Sequence, residues 1–416
     1  MKQIVLFTAA LAMVAVMSKA ADDVAVSETE ISTTQTAEEP EYKDVNTDQA
    51  ILESHKPLYH APAPDAEKDF KYWAAAVGSR LKITGYAQGG YEAIFNNGSD
   101  NSNTFAMRRV ILMVGANITP EFFAFFMHDF KSGSMQEYYM EYRPCKALNF
   151  RLGQSKNEFS MENPMSPTVV DLVAPMTQGV FWLNGSDPLM SNASGRDIGF
   201  TVYGDVLGGK LRYVAQVVNG GQINTADKNN QKNVIGKLEY KFMPNLRIGV
   251  SGVLGHGYSV AYSEYNPTLY NKKTKEGQTY RQNRWAVSGE WKSKKTGTDY
   301  YRNRCITVRG EVLGGMDGDV HSFGGYISSS IPVYKQLDVV ATVDNFNYNT
   351  RIGCQQTKFA GGVQLWLHTK CRLQLQYTYC ALSSTHRAYL NECNLNDGNL
   401  NDGNYSRIDA QVQVAF

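Results

Sequence analysis

Apolar and polar residues alternate over the last stretch of the chain, 405–416. Every second residue from Ile408 to Phe416 is apolar, and Arg407, Asp409, Gln411 and Gln413 alternate with them. A period of two is typical of a β-strand with one apolar and one polar face. The pattern therefore predicts a strand at the C-terminus, and the rest of the chain must supply the strands that pair with it.

The same alternation recurs from Arg80 onward and predicts sixteen strands. They cover residues 80–95, 103–118, 121–131, 135–144, 147–155, 195–206, 210–220, 232–242, 245–257, 280–293, 302–314, 321–331, 335–346, 357–368, 372–383 and 405–416. The last strand is expected to pair with the first one and close the sheet.

The connections between these strands alternate in length. Residues 119–120 and 243–245 are short links, whereas 96–103 and 220–231 are long ones. Short turns at one end and long loops at the other are the pattern of an antiparallel barrel in a bacterial outer membrane. Closure pairs every backbone N–H and C=O where water is absent. The predicted fold is all-β, a 16-stranded antiparallel transmembrane β-barrel wide enough to keep an aqueous lumen.

The N-terminal part differs from this pattern. Lys2, the apolar run 4–16 and the small residues around Ala20 predict a signal peptide at 1–20. After it, no apolar run is long enough for a transmembrane helix. Residues 21–70 hold 13 Asp and Glu against 3 Lys, so an acidic, disordered periplasmic arm is expected there. The barrel domain is assigned to 71–416.

One long segment, 156–194, interrupts the rhythm of the strands. So long a stretch without strands in a compact domain is usually functional. We expect it to fold inward as the third loop of the barrel and to narrow the lumen. The alternative is an extracellular loop that packs over the mouth.

Charge is distributed unevenly. The formal net charge is +1, but from Lys71 onward there are 36 basic and 27 acidic residues. If Leu, Ile and Val mark the lipid face, a set of basic residues faces the lumen, where Lys and Arg favour anions. The pore-lining candidates are Lys82, Arg109, Arg143, Arg151, Lys156, Arg212, Lys237, Lys241, Arg247, Arg284, Lys292, Arg309, Arg372 and Arg407. Acidic residues share this face, so cross-strand pairing is the alternative reading.

Smaller features add little chemistry. Aromatic clusters near strand ends, such as 122–126 and 138–142, predict interfacial girdles. Asp397 and Asp402 are weak Ca²⁺ candidates in turn-forming Asn-Asp-Gly repeats. The six cysteines form no CxxC pair, and Cys354 with Cys393 is the one disulfide candidate. No catalytic set is visible beyond the weak pair His128–Asp129, so neither an enzyme nor a cofactor is expected.

Several stretches resemble one known family, the phosphate-selective porins O and P in the form common among Bacteroidetes. The stretches are Thr84-Gly-Tyr-Ala-Gln88, Phe105-Ala-Met-Arg-Arg109, Leu152-Gly-Gln-Ser-Lys156, Glu162-Asn-Pro-Met-Ser-Pro167, Gly195-Arg-Asp-Ile-Gly199 and Val218-Asn-Gly-Gly-Gln-Ile-Asn-Thr-Ala-Asp227. The resemblance extends over about 80–416 and rests on their ordered combination. It implies a trimeric passive channel with an inward third loop and a preference for anions such as phosphate.

The expected partners follow from these points. They are outer-membrane lipid and lipopolysaccharide, the barrel assembly machinery acting on the terminal aromatic Phe416, further copies in a homotrimer, and small anionic solutes; no nucleic acid is expected. Two alternatives remain at this stage. One is a general or oligosaccharide-type porin without phosphate specificity, and a remote one is an outer-membrane hydrolase.

Overall fold

The structure is a computed structural model. It describes Gly78 and residues 80–96, 101–173, 177–184, 195–227, 229–258, 279–294, 297–298, 303–385 and 404–416. The signal peptide at 1–20 and the acidic arm at 21–70 lie outside the described residues, as do Cys393, Asp397 and Asp402. Those expectations stay predictions.

The described residues form eighteen strands and one short helix. The strands are β1 (Leu81–Asn96), β2 (Ser102–Asn117), β3 (Phe122–Asp129), β4 (Ser134–Cys145), β5 (Leu148–Lys156), β6 (Arg196–Val206), β7 (Leu211–Val218), β8 (Asn233–Met243), β9 (Leu246–Tyr258), β10 (Thr279–Lys292), β11 (Gly297–Thr298), β12 (Asn303–Arg304), β13 (Thr307–Asp317), β14 (Val320–Tyr334), β15 (Leu337–Asn349), β16 (Cys354–His368), β17 (Cys371–Leu382) and β18 (Tyr405–Ala415). The helix is α1 (Gln178–Asn184).

Sixteen of the strands form one closed antiparallel barrel, in which each pairs with its neighbours in the chain. The remaining two, β11 and β12, form a separate two-stranded hairpin between β10 and β13. The sixteen-strand prediction is therefore confirmed. The one misplaced strand was predicted at 302–314 and lies at 307–317. Asn303 and Arg304 form β12, which pairs with β11 in the small hairpin and not with a strand of the wall.

The C-terminal strand closes the barrel by pairing with β1, from Tyr86 opposite Ala415 to Asn96 opposite Tyr405. Phe416 extends this seam, because its N–H donates to the carbonyl of Gly85 at 2.9 Å. A Cβ at Gly85 would lie 2.7 Å from the Phe416 ring, so this position must lack a side chain for the ring to rest there. Recognition of Phe416 by the assembly machinery stays a prediction.

Alternating exposure along the strands separates an outer from an inner face. In β17, Leu373, Leu375 and Tyr377 are exposed by 38%, 53% and 50%, whereas Arg372, Gln374 and Gln376 are exposed by 5% or less. The apolar residues therefore form the outside, as expected for a wall that faces lipid. Among the described residues, no helix is both long and apolar enough to cross a membrane.

Candidate functional site

The segment between β5 and β6, residues 157–195, is called the third loop here. Its first part is bound to the inner face of the wall on one side of the barrel. The N–H of Glu158 donates to Gln216 of β7 at 2.7 Å, and the N–H of Ser160 donates to Ser251 of β9 at 2.9 Å. Glu311 of β13 then accepts hydrogen bonds from the two following backbone N–H groups at 2.9 Å each.

The middle of the third loop is bound to strands that flank the closure seam between β1 and β18. Gln88 of β1 donates to the carbonyl of Pro167 at 3.1 Å, and Arg372 of β17 donates to the carbonyl of Val170 at 2.7 Å. The N–H of Val173 donates to Gln376 at 2.9 Å. The loop thus takes partners from the inner faces of strands on both sides of the barrel.

The helix α1 is held mainly by apolar packing. Val180 and Leu183 are 0% and 1% exposed, and together with Phe159 they contact apolar side chains of the inner wall. The partners are Val218, Ile235, Val253, Ala286, Leu313, Tyr326 and Phe346. We call this set the loop-docking cluster. Burying these side chains contributes roughly 1.5–3 kcal/mol for each large one, so the cluster is a main attachment of the helix to the wall.

Nine of the fourteen pore-lining candidates form ion pairs with acidic residues in the described ranges. They are Arg143, Arg151, Arg212, Lys237, Arg247, Arg284, Lys292, Arg309 and Arg407. Cross-strand pairing, the alternative reading of this face, describes six of the nine. The partners of Arg143, Lys237 and Lys292 lie on their own strand or in the third loop. Pairing of this kind reduces the net field that the wall presents to ions.

Some of these pairs join into one chain whose two ends are residues of the third loop. It runs from Glu158 through Lys237, Glu239, Arg247, Glu290 and Arg309 to Asp171, with N–O distances between 2.6 and 3.5 Å. Because its members lie on four adjacent wall strands, the chain ties both ends of the loop's first part to β8, β9, β10 and β13.

The other five candidates have different surroundings. Lys156 donates to the carbonyl of Met165 at 2.9 Å, and Arg372 is 1% exposed and bound to loop carbonyls. Lys82 and Lys241 are partly exposed near the short-turn end of the barrel. Arg109 donates to Gln88 at 3.0 Å. Since Gln88 also binds Pro167, Arg109 lies beside the third loop.

A β-bulge brings in an arginine that the sequence pattern missed. Gln88 pairs with Arg109 but Gly89 pairs with Met107, which leaves Arg108 without an opposite residue on β1. The extra residue turns the Arg108 side chain inward, to Asp409 at 2.5 Å and Glu92 at 3.5 Å. A strict period of two had assigned it to the lipid face. Arg108 and Arg196 both lie close enough to Arg109 to act on its charge.

The inner face of β1–β4 carries apolar and aromatic side chains. We call these residues the aromatic cluster: Tyr86, Ile111, Met113, Phe123, Phe125, Met127 and Tyr139, all 7% exposed or less. The girdle prediction is wrong for three of the seven aromatic residues in 122–126 and 138–142, because Phe123, Phe125 and Tyr139 are buried on this face. The guanidinium of Arg143 lies 4.0 Å from the centre of the Phe123 ring, and that of Arg151 lies 4.5 Å from the Tyr139 ring. The aromatic rings thus support two of the basic candidates.

Three smaller features of the sequence were the His128–Asp129 pair, the Cys354–Cys393 disulfide and a metal site. His128 lies on the outer face between Phe126 and Phe130, while Asp129 points inward and accepts from the N–H of Val110 at 3.1 Å. The two side chains do not form a dyad. Cys354 is buried, but its proposed partner, Cys393, lies outside the described residues. No group of three or more His, Cys, Asp or Glu residues in the described ranges could hold a metal ion.

Solved structures resemble this barrel, although no family model and no curated protein matches the chain. OprB of Pseudomonas putida superposes with a TM-score of 0.57 at 8% identity, over 83% of this chain and 96% of that one. An anion-selective porin from Comamonas acidovorans gives 0.55 at 11% identity, over 81% and 99%. The trimer form of OmpT, an outer membrane protein of Vibrio cholerae, gives 0.52 at 12% identity, over 81% and 99%.

At such identities the likeness shows the fold. A closed sixteen-stranded antiparallel barrel with an apolar outside satisfies every backbone group in lipid and is the architecture of bacterial outer-membrane proteins. The chain is therefore an outer-membrane barrel of the porin fold.

Proposed function

We propose that the chain is a passive diffusion channel for small hydrophilic solutes and that it prefers anions such as phosphate. The third loop narrows the lumen, because it crosses between inner-face partners on β7–β13 and on β1 and β17. Solutes pass between this loop and the wall strands that it leaves uncovered.

The observation that carries the anion preference is the position of Arg109. It lies beside the third loop, and its described hydrogen bond goes to the neutral amide of Gln88. Two cations, Arg196 and Arg108, and one carboxylate, Asp129, act on its charge. A guanidinium held by a neutral partner beside a narrow passage attracts an anion without binding it tightly, and conduction requires both.

Removing the Arg109 charge tests this proposal. A unit charge at about 4 Å in water is worth about 1 kcal/mol, which is roughly a fivefold effect on each ion, favourable for the anion and unfavourable for the cation. The anion-to-cation permeability ratio of Arg109→Gln should therefore fall by roughly fivefold or more. The measurement is the reversal potential of the channel in a KCl gradient across a planar bilayer. The matched control is Lys335→Gln, which removes one charge from an exposed turn outside the lumen and should leave the ratio unchanged.

Two outcomes would contradict this proposal at different levels. If the unaltered protein preferred cations at neutral pH, the proposed preference for anions would be wrong, but the protein would still be a diffusion channel. Absence of any conductance rejects the channel itself.

The second candidate function is a general porin without phosphate specificity, and the ion pairing of nine basic candidates favours it. Swelling of liposomes in neutral sugars and in phosphate separates the two candidates. Similar permeation rates for solutes of equal size would support the general porin, and faster permeation of phosphate would support the anion channel.

We also propose a homotrimer. The support is the barrel's likeness to OmpT, whose solved structure is described as a trimer form. Light scattering of the detergent-solubilised protein after size exclusion should give the mass of three chains. A mass of one chain, unchanged across several mild detergents, would contradict the trimer.

A further inference from the structure

Three buried carboxyl groups meet where the two described parts of the third loop contact each other and the wall. Glu162 belongs to the loop, Glu311 to β13 and Asp344 to β15. Their exposed fractions are 5%, 2% and 5%. We call them the carboxyl cluster.

Every member of the carboxyl cluster accepts hydrogen bonds from the loop. Glu311 binds the N–H groups of Met161 and Glu162, both at 2.9 Å. The carboxyl of Glu162 accepts from the N–H and the hydroxyl of Thr177, at 3.1 and 2.5 Å. Asp344 accepts from the N–H of Gln178 at 2.8 Å. The cluster therefore connects 157–173, 177–184 and two wall strands.

The charges around this cluster differ from those elsewhere on the loop. Glu158 and Asp171 form ion pairs, whereas the described part of the chain contains no ion pair to Glu162, Glu311 or Asp344. A buried carboxylate without a cation is costly, and two that lie close together cannot both ionise without strong repulsion. The titratable and charged groups that face the cluster from the wall strands are Lys237, Arg309, Tyr326, Tyr348 and Lys358.

Burial is the main cause that raises the pKa of Glu162, to about 8, and the nearby carboxylates of Glu311 and Asp344 add to it. The group therefore carries a proton at neutral pH. A carboxyl whose pKa is raised in the folded loop contributes stability that is fully present only below the pKa of the free carboxyl. This stabilisation is lost as the pH rises through the raised value.

We propose that the carboxyl cluster is a proton-dependent latch, which holds the third loop on the wall at neutral pH and releases α1 in alkaline solution. Loss of the Glu162 proton places a negative charge in a dry site beside the carboxyl groups of Glu311 and Asp344. The repulsion separates Glu162 from Glu311 and Asp344 of the wall. Thr177 stays bound to the Glu162 carboxylate, so the start of the helix moves away from the wall with it. The widening of the pore rests on the proposed function, in which the loop is the constriction; the movement of the helix does not.

The movement and the conductance can be measured separately. Trp182 lies on α1 with its ring 4.9 Å from that of Tyr348, so the fluorine resonance of 5-fluorotryptophan at this position reports whether the helix is docked. Trp182→Phe assigns the signal. Between one pH unit below and one above the pKa, the protonated fraction falls from about nine-tenths to about one-tenth. The resonance should follow this fraction with a midpoint near pH 8, and the single-channel conductance should rise with the same midpoint.

Two variants and one control identify the group. Glu162→Gln keeps an oxygen acceptor for Thr177 but cannot ionise, so the alkaline transition should disappear in both measurements. Thr177→Val removes a hydroxyl donor that favours the carboxylate, so the midpoint should move to higher pH. Glu121→Gln, in an exposed turn, should keep the transition of the unaltered protein.

A resonance that does not change between pH 7 and 9, or a transition that persists in Glu162→Gln, would overturn the latch. A transition of the resonance without a change in conductance would support the latch and contradict the role of the loop as the constriction. Failure of the two proposals is thus distinguishable.

Discussion

The barrel has two apolar regions on its inner face, and they contact different parts of the protein. The loop-docking cluster lies on β7–β15 and is completed by Phe159, Val180 and Leu183 of the third loop. The aromatic cluster lies on β1–β4 and supports guanidinium groups on the Phe123 and Tyr139 rings. Each apolar patch on the inner wall therefore binds a different group. The loop-docking cluster packs against a segment of the third loop, and the aromatic cluster contacts the guanidinium groups of two arginines.

The largest effect is expected from placing a charge in the loop-docking cluster. Val180→Asp buries a carboxylate among apolar side chains, which costs several kcal/mol, so the helix should leave the wall. We expect a larger single-channel conductance at neutral pH, with the barrel still migrating as a folded band in unheated gels. The control is Phe181→Asp, one residue along the same helix, where the native side chain is 43% exposed and the conductance should not change.

A smaller effect of a different kind is expected from the aromatic cluster. Phe125 is 4% exposed and stacks on Tyr139 at 5.0 Å between ring centres. Phe125→Ala should lower the unfolding free energy by about 3–5 kcal/mol, measured by urea titration in detergent, without changing the conductance. If Phe125→Ala widened the channel as Val180→Asp does, the two regions would not be separate in function.

The smallest effect concerns the cation over the ring. Arg143→Lys keeps the charge beside Glu141 but loses the planar contact with Phe123. Such contacts contribute about 0.5–1 kcal/mol at exposed sites, so the urea midpoint should fall slightly and ion selectivity should stay the same. A large change in selectivity would mean that the orientation of the guanidinium, beyond its charge, contributes to the passage of ions.

Strand positions could be predicted because the bilayer imposes one rule on every wall residue. Outer side chains must be apolar and inner ones need not be, so the alternation in stretches such as Leu373 to Tyr377 marks a strand directly. The rule fails where the backbone departs from a regular strand. The bulge at Arg108 reverses the face of one residue, and the separate hairpin takes residues 303–304 out of the eleventh predicted strand.

The candidate site was harder to predict, because its properties depend on pairs that are distant in sequence. The basic residues could be assigned to a face, but not to their partners: Arg309 pairs with Asp171 of the loop, and Arg407 shares Glu92 with Arg108. The carboxyl cluster gave no signal at all, since Glu162, Glu311 and Asp344 are far apart along the chain and have no shared motif. Only the folded loop brings them together.

By itself, the sequence determined the closed barrel, its strand number and the pairing of the last strand with the first, because these follow from a local period of two under one solvent constraint. The tertiary structure decided which charges neutralise each other, which apolar residues hold the third loop, and where carboxyl groups meet without a cation. These contacts join neighbouring strands or join the third loop to the wall. A local alternation of apolar and polar residues cannot encode a partner that is distant along the chain.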